Sequence, residues 1–178
     1  MAQPFVAPPL DTSWFSVGLA SSFLDIIGAE ATALAKYHTE SGTQQVGCKV
    51  FHLQSEDSRG AVQLSQNPEN QLDASLSKGQ QVLVFRYNGK FHAIDNKCPH
   101  ASFPLSNATP FDIEDFGVTL SAGITCPQHD WSFDLFTGTS DRGKYKLKIW
   151  EVQLRPTTSG EGEDGELEVW VGKRQRMG

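Results

Sequence analysis

The sequence predicts an all-β protein whose body is a β-sandwich or barrel, with a small loop-rich subdomain inserted between its strands. Three observations predict this class. Apolar and polar residues alternate at 145–155 and 166–172, as they do in strands with one buried face. Asn88-Gly89 separates two further strand-like runs, which is a strong hairpin signal. The interval from about 95 to 140 is rich in proline and glycine and indicates loops.

The amino-terminal half is predicted to contain two strands and a helix. Its segments are a proline-rich extended lead-in (1–10), a strand (13–19), a helix (21–38), a second strand (48–53) and a polar loop (54–74). Ser21 or Ser22 would cap the helix, although Gly28 interrupts its pattern. The second strand, "CKVFHL", is rich in the β-branched and aromatic residues that favour strands.

The rest of the chain predicts two hairpins that enclose the loop-rich interval. The first covers 80–96 with "NGK" at its turn, and the second joins 145–155 to 166–172 through an acidic, glycine-rich turn. We therefore expect one domain over residues 1–178. Its parts would be a β body (11–94 and 141–172), a subdomain (about 95–140) and flexible ends (1–10 and 173–178).

Composition and charge argue against several classes of protein. The 178 residues suffice for one sizeable domain, and the net charge of −6 argues against a nucleic-acid binder and suits docking onto basic partner surfaces. Three cysteines do not make a disulfide framework, so we expect a reducing compartment. No apolar run is long enough to span a membrane, and no basic residue of a targeting peptide precedes Lys36. These features predict a cytoplasmic protein without membrane contact.

Two short loops each combine a cysteine with a histidine. "KCPH" places Cys98 two residues before His100, and "CPQH" places Cys126 three residues before His129. The gap between the two motifs, residues 101–125, is 25 residues long. Cysteine thiolates and neutral imidazoles are protein ligands for soft and borderline metals. The four residues are therefore a candidate metal site.

Two metal centres fit two cysteines and two histidines: a tetrahedral zinc ion, and a [2Fe–2S] cluster in which each iron has its own ligand pair. Zinc fingers group cysteine with cysteine and histidine with histidine, whereas each loop here carries one of each. Each loop can then give one ligand to either iron. The predicted strands around the loops also differ from the helix that completes a ββα finger. The pattern favours the cluster, and zinc remains the alternative.

The two loops resemble the signature of the Rieske iron–sulfur family, C-x-H followed by C-x-x-H. "CPHASFPLS" and "CPQHDWSFDLFTG" are similar to the longer forms of this signature in Rieske ferredoxins and oxygenases. The resemblance extends from about Val82 to Val171 and implies a β-sandwich body, a small cluster-binding subdomain and a Rieske [2Fe–2S] cofactor. The ligands it implies are Cys98 and Cys126 for the inner iron, and His100 and His129 for the outer, solvent-facing iron.

The sequence departs from the family's pattern in two places. The gap between the loops is longer than usual, and the surplus lies in "NATPFDIEDFGV" (107–118), which Asp112, Glu114 and Asp115 make acidic. We expect this insertion to lie near the cluster and to steer a basic partner. The glycine that usually follows the second histidine is Asp130, which tolerates a left-handed backbone and brings a negative charge beside a ligand.

The resemblance implies electron transfer, and the sequence narrows the kind of Rieske protein. A respiratory subunit is not expected, because Phe103 and Gln128 stand where that type has additional cysteines. An oxygenase is not expected either, because His38, His52 and His92 lack the short spacing of a mononuclear iron site. We predict a soluble ferredoxin without catalytic residues, which carries single electrons from a flavin-type reductase to an oxygenase or other redox enzyme. A redox-sensing regulatory module and a zinc-stabilised interaction domain are the alternatives.

Several residues near the motifs are expected to have structural roles. Cys48 has no histidine at ligand spacing and should be buried in a strand. Trp131 and Phe133 should pack around the second loop, at positions where the high-potential branch of the family has hydrogen-bond donors. Ser132 should point away from the cluster. Together with the charge of Asp130, these residues predict a low reduction potential, below zero.

Overall fold

Strands make up most of the protein in its computed structural model. The structure describes residues 14–26, 34, 37–38, 44–45, 47–53, 61–63, 80–100, 103–128, 130–157 and 166–173. These ranges contain strands and short 3₁₀ turns and no α-helix, which confirms the all-β prediction. None of the described segments is a helix with the length and apolar character needed to cross a membrane.

The described residues form thirteen strands and two complete 3₁₀ turns. The strands are β1 (Trp14–Leu19), β2 (Asp25–Ile26), β3 (Tyr37–His38), β4 (Gln44–Gln45), β5 (Cys48–Leu53), β6 (Ala61–Gln63), β7 (Gln80–Tyr87), β8 (Lys90–Asp95), β9 (Thr109–Asp115), β10 (Val118–Thr125), β11 (Ser132–Asp134), β12 (Ile149–Pro156) and β13 (Leu167–Lys173). The 3₁₀ turns are Ala20–Ser22 and Leu105–Asn107.

The strands belong to three sheets. The largest has the order β1-β13-β12-β8-β7-β5-β6, and β2 pairs in parallel with β7. A three-stranded sheet, β11-β10-β9, is built from the interval between the two predicted hairpins. The pair β3-β4 completes the set. The interval predicted to be loops therefore contains a small sheet, to which the second metal loop is attached.

Strand β7 separates two apolar clusters, because its side chains alternate between the two faces of the sheet. Val82 and Val84 belong to one cluster, and Leu83 and Phe85 belong to the other. A strand buried on both faces has a continuous apolar sequence, as in "VLVF". The second cluster also contains both cysteines of the metal loops, so one face of β7 packs beneath the candidate site.

Both predicted hairpins are present. Asn88-Gly89 joins β7 to β8, and its positive φ angles of 48° and 80° are those of the two-residue turn that Asn-Gly favours. Strand β12 pairs with β13 in antiparallel register from Trp150–Lys173 to Pro156–Leu167. Most of the acidic turn between them lies outside the described residues.

The helix predicted over 21–38 is wrong in its described part. Residues 20–22 form a single 3₁₀ turn, and Asp25–Ile26 pairs with β7. Tyr37–His38 pairs with Gln44–Gln45 as a short strand. Ile26 is fully buried, and this burial together with sheet pairing outweighs the weak helix propensity of a segment interrupted by glycine.

Two further expectations concern the loops and the ends of the chain. The polar segment predicted as a loop over 54–74 contains β6, which pairs with the edge of β5. Three residues are too few to produce a recognisable alternation, so this strand depends on its neighbour. The lead-in at 1–10 and the end of the chain beyond 173 lie outside the described residues, and the predicted domain boundaries stay a prediction.

Candidate metal centre

The first metal loop is closed by the side chain of Asn96, which directly follows β8. Its Nδ2 donates to Oε1 of Gln81 at 3.1 Å, and its Oδ1 accepts from the backbone N–H of Ser106 at 2.9 Å. Its own N–H donates to the Gln81 carbonyl at 2.9 Å. Asn96 is 3% exposed, so one buried amide holds both ends of the loop against β7.

Within this loop, Cys98 points into the core. Its N–H donates to the carbonyl oxygen of Phe103 at 2.8 Å, which turns the chain back over a few residues. The thiol is 1% exposed and packs in the apolar cluster below the loop. Pro99, which follows it, has a fixed φ and no N–H that would need a partner at this turn.

The second metal loop follows β10 and has a similar form. The N–H of Cys126 donates to the Trp131 carbonyl at 2.8 Å, and the N–H of Asp130 donates to the Cys126 carbonyl at 3.0 Å. Asp130 has a positive φ of 57°, the left-handed geometry that a glycine would adopt without strain. The prediction that aspartate can take this position is confirmed. Arg142 fastens the loop from outside, because its Nη2 donates to the Asp130 carbonyl at 3.2 Å.

The two loops meet at an aromatic contact. The imidazole of His100 stacks on the indole of Trp131, with ring centroids 4.3 Å apart and planes 16° from parallel. Tyr145 stands edge-on to both rings, at 5.4 Å from the imidazole and 5.2 Å from the indole. His100 is only partly buried. One histidine of the first loop is thereby fixed against the second loop at the protein surface.

The structure describes three of the four predicted ligands and places them on the two loops that meet at the His100–Trp131 contact. Cys98 and Cys126 share one apolar cluster, and the His100 ring contacts the loop that follows Cys126. His129 lies outside the described residues, and no group of three metal-binding side chains is complete among those that the structure describes. Two buried thiols with a partly exposed imidazole beside them suit a cluster that has one buried iron and one outward iron.

Cys48 lies outside both metal loops, although it belongs to the same apolar cluster as their cysteines. It lies in β5, where it pairs with Phe85, and its side chain is buried. Burial raises the pKa of the Cys48 thiol to about 12, so the free thiol is protonated at neutral pH. The expectation of a buried strand residue is confirmed.

The residues after the second loop also lie as expected. Phe133 is 1% exposed and packs in the cluster that contains both loop cysteines. The Ser132 hydroxyl shares a hydrogen bond of 2.9 Å with the Thr125 hydroxyl on β10. It is therefore held by the small sheet, and Trp131 packs against His100.

The acidic insertion lies away from the two metal loops, contrary to our expectation. Its acidic residues lie on the outer part of the hairpin β9–β10, whose turn is Phe116-Gly117, whereas Thr109 near its start pairs with Thr125 beside the second loop. Strand β10 runs from this turn to the second loop, a length of about 20 Å. Asp112 accepts a hydrogen bond of 3.0 Å from Asn88, at the end of β8 opposite the first loop. The acidic residues lie there because the insertion pairs as part of the hairpin β9–β10 instead of forming a loop beside the metal site.

Three residues of the site were not predicted. Asn96 offers a weak local signal, because asparagine directly after a strand often bonds to nearby backbone. Tyr145 and Arg142 give no sequence signal, because they reach the second loop from a different segment of the chain. Arg142 also places its guanidinium 5.6 Å from the centre of the Trp131 ring, which adds a cation–π contact to the aromatic group.

Comparison with known proteins places this arrangement in a family. The family model that describes the Rieske [2Fe–2S] domain matches residues 57–150, just over half of the chain. The matched segment includes both metal loops, the hairpin β7–β8 and the small sheet.

Individual relatives are similar over a shorter segment. A human "Rieske domain-containing protein" is 37% identical over 59 residues, which are 33% of this chain and 34% of that protein. Human and mouse "Apoptosis-inducing factor 3" are each 36% identical over 58 residues, 33% of this chain and 8% of those proteins. The chain thus spans far less than two thirds of these curated relatives. Among solved structures, a "complex of reduced oxygenase and oxidized ferredoxin in carbazole 1,9a-dioxygenase" aligns with 94% of this chain and 100% of that chain, at 18% identity and a TM-score of 0.46.

Proposed function

The chain belongs to the Rieske [2Fe–2S] domain family, and we propose that it is a low-potential ferredoxin, a soluble carrier of single electrons in the cytoplasm. The family's defining cofactor is the [2Fe–2S] cluster, which decides between the cluster and the zinc alternative. The observation that carries the proposal is the contact between the two loops, with buried cysteines below and the partly exposed His100 at the surface. A cluster held in this way can exchange electrons through its outward edge.

The proposed ligands are Cys98 and Cys126 for the inner iron, and His100 and His129 for the outer iron. The burial of both thiols supports the inner assignment, because apolar surroundings exclude water from the inner half of the cluster. The partly exposed imidazole of His100 supports the outer assignment. The bound cluster supplies a one-electron couple. The chain holds it, shields it with Trp131 and Phe133, and presents one histidine edge to solvent.

The three cysteines offer a matched test of these ligands. Cys98→Ser and Cys126→Ser should each lose the visible absorption of the cluster together with iron and acid-labile sulfide. Cys48→Ala should keep all three, because Cys48 lies in β5 and outside both metal loops. If Cys48→Ala loses the cluster while either serine variant retains it, the ligand assignment is wrong.

We propose a flavin-type reductase as electron donor and an oxygenase or other redox enzyme as acceptor. The family's chemistry supports a carrier, and the partners follow from the resemblance of the loops to those of oxygenase ferredoxins. In this proposal the chain is one domain with a β body and a cluster-binding subdomain, and it has no catalytic residues of its own. The acceptor would approach the end of the molecule at which His100 is exposed.

The proposal is tested by electron transfer between purified proteins. The holoprotein is mixed anaerobically with NADH and a ferredoxin reductase from the same organism, and loss of the visible absorption follows cluster reduction. We expect the reductase to reduce the cluster, and an added oxygenase to reoxidise it. The apoprotein from Cys98→Ser should transfer no electrons. A cluster that accepts electrons from chemical reductants but from no reductase of the organism would contradict the carrier function and favour a sensing role.

A further inference from the structure

Phe116, at the turn of the hairpin β9–β10, combines an exposed aromatic side chain with a left-handed backbone. It is 98% exposed, and its φ of 50° together with the 75° of Gly117 puts two successive residues in the left-handed region. A two-residue turn of this geometry favours asparagine or aspartate at its first position. A bulky aromatic residue there adds backbone strain and leaves its ring in water. The turn is therefore less stable with phenylalanine than it would be with asparagine.

The exposed ring is followed along the hairpin by other exposed apolar side chains. Val118 is 60% exposed and Leu120 is 64% exposed. The pairing of β10 with β9 shifts between Thr119 and Ser121, so Leu120 is the extra residue of a bulge, a feature that redirects a side chain. Scattered exposed apolar residues are normal, whereas a row of them marks an interaction surface.

A cleft of about 310 Å³ extends this apolar surface toward the body of the protein. It lies between the hairpins β7–β8 and β9–β10, and Leu120 and the exposed Phe136 both line it. Lys90, also in its lining, places its ammonium 5.4 Å from the centre of the Phe136 ring. The outer hairpin and the cleft together form what we call the arm surface: Phe116, Val118, Leu120 and Phe136.

The hairpin β9–β10, which we call the arm, is held in place by contacts within the protein itself. Asp112 on β9 accepts a hydrogen bond of 3.0 Å from Asn88 in the neighbouring turn. Its carboxylate also lies near the buried Tyr87, whose pKa is raised to about 12 by burial and by this carboxylate. Lower on the hairpin, the Phe111 ring packs so closely on Gly123 that a Cβ there would clash with it. A pre-ordered arm loses little conformational freedom when it binds.

The charge of the arm selects among possible occupants. Asp112 and Glu114 are exposed on β9, and the sequence has no Lys, Arg or His from 101 to 128, so the outer hairpin is acidic, whereas Lys90 adds one positive charge at the cleft. A second copy of the chain would bring the same negative charges against each other, and an anionic lipid surface would repel them. A protein with basic residues around an apolar hollow is complementary to both the charge and the apolar tip.

We propose that the arm surface is a docking arm, whose Phe116, Val118 and Leu120 insert into an apolar socket rimmed by Lys or Arg on a partner protein. The turn of the arm lies about 20 Å along β10 from the second metal loop. The identification of this partner as the electron donor or acceptor rests on the proposed function, whereas docking itself does not.

The partner is found by replacing Phe116 with the photo-crosslinking amino acid benzoylphenylalanine in the holoprotein, expressed in its own cells. The control carries the same group at Leu154, an exposed apolar residue on β12. We expect an adduct at position 116 that is absent at position 154. The captured protein is then purified and titrated with the uncrosslinked holoprotein, which measures its dissociation constant directly.

Three substitutions on the arm, with one control elsewhere, decide whether the arm makes the contact. Phe116→Asn suits the turn better, so its melting temperature should equal or exceed that of the unaltered protein. Its dissociation constant for the captured protein should rise about tenfold or more, as for a central aromatic contact. Leu154→Asn should change neither. Glu114→Gln should weaken binding at low salt and little at high salt. Val118→Ser repeats the test without altering the turn.

The outcomes separate docking from electron transfer. An adduct only with a second copy of the chain, no adduct beyond the Leu154 control, or equal affinities of Phe116→Asn, Val118→Ser and the unaltered protein would overturn the docking arm. If the captured protein binds through the arm but exchanges no electrons with the cluster, the docking arm stands and its link to the proposed function fails.

Discussion

The imidazole of His100 and the indole of Trp131 lie face to face, with ring centroids 4.3 Å apart. One ring belongs to the first metal loop and the other to the second, so this stack joins the two halves of the candidate metal centre. Tyr145 and Arg142 support the indole from its edge and from near its face. The partly buried indole covers one side of the histidine that we propose as a ligand of the outer iron.

Removing the indole should raise the reduction potential. Trp131→Ala admits water beside His100, and water stabilises the reduced cluster because that state carries one more negative charge. Trp131→Phe keeps an aromatic face and should stay close to the original potential. Protein-film voltammetry of the two variants measures the difference. A potential that falls in Trp131→Ala, or that moves equally in both, would show that the stack does not control solvent access.

The charge of Asp130 should lower the potential, since a nearby negative charge disfavours the addition of an electron. Asp130→Asn keeps a residue that tolerates the φ of 57° and removes only the charge. We expect the potential to rise by roughly a few tens of millivolts after solvent screening. Glu151→Gln, an exposed change on β12, is the charge control. The unaltered protein should lie below zero, and a value above about +150 mV would contradict its low-potential assignment.

Asn96 should be essential to the stability of the first loop. Asn96→Ala leaves the buried Ser106 N–H without its acceptor. It also removes the hydrogen bond that the Asn96 side-chain amide donates to Gln81. An unsatisfied buried polar group costs about 1–3 kcal/mol, so the free energy of unfolding should fall by at least that amount. Anaerobic urea unfolding measures it, with the exposed Lys97→Ala as the control. Equal stability of the two variants would mean that the loop does not depend on the hydrogen bonds of Asn96.

His92 should make the protein less stable in mild acid. Burial, and then the charge of Lys90, lower the pKa of His92 from 6.5 to about 4. Between these values the unfolded chain binds a proton that the folded protein does not, so folding stability is full above pH 6.5 and is lost as the pH falls toward 4. The loss can reach about 3 kcal/mol.

The pH dependence of His92 is checked by substitution. His92→Phe retains a ring between Phe85 and Phe136 and removes the proton site. Urea unfolding at pH 7 and pH 5 should show a smaller decrease for this variant than for the unaltered protein. Identical decreases would assign the acid sensitivity to other groups.

The strands with strong local patterns could be predicted from the sequence, and so could the chemistry of the loops. Asn88-Gly89 determines its turn through its own backbone preferences, and the spacing of the Cys–His pairs predicts a ligand set. Asp130 was expected in a left-handed position because its side chain tolerates that geometry. In each case the information lies within a few residues.

What could not be predicted depends on contacts between distant segments. Strand β2 has only two residues and exists because it pairs with β7, some sixty positions later in the chain. Tyr145 contacts His100 although no local pattern links them. The insertion was expected near the cluster from its charge, but pairing of β9 with β10 carries it toward Asn88. Local propensity does not contain these pairings, because tertiary contacts select them.

Pulsed electron paramagnetic resonance of the chemically reduced holoprotein tests the central claim most directly, because it detects the ligands of the cluster itself. A Rieske cluster held by His100 and His129 should show two imidazole nitrogens coupled to the unpaired electron. Replacing His100 with cysteine should remove one of these couplings if the cluster still assembles. A reduced protein with no nitrogen coupling, or one that contains zinc and gives no signal, would contradict the account.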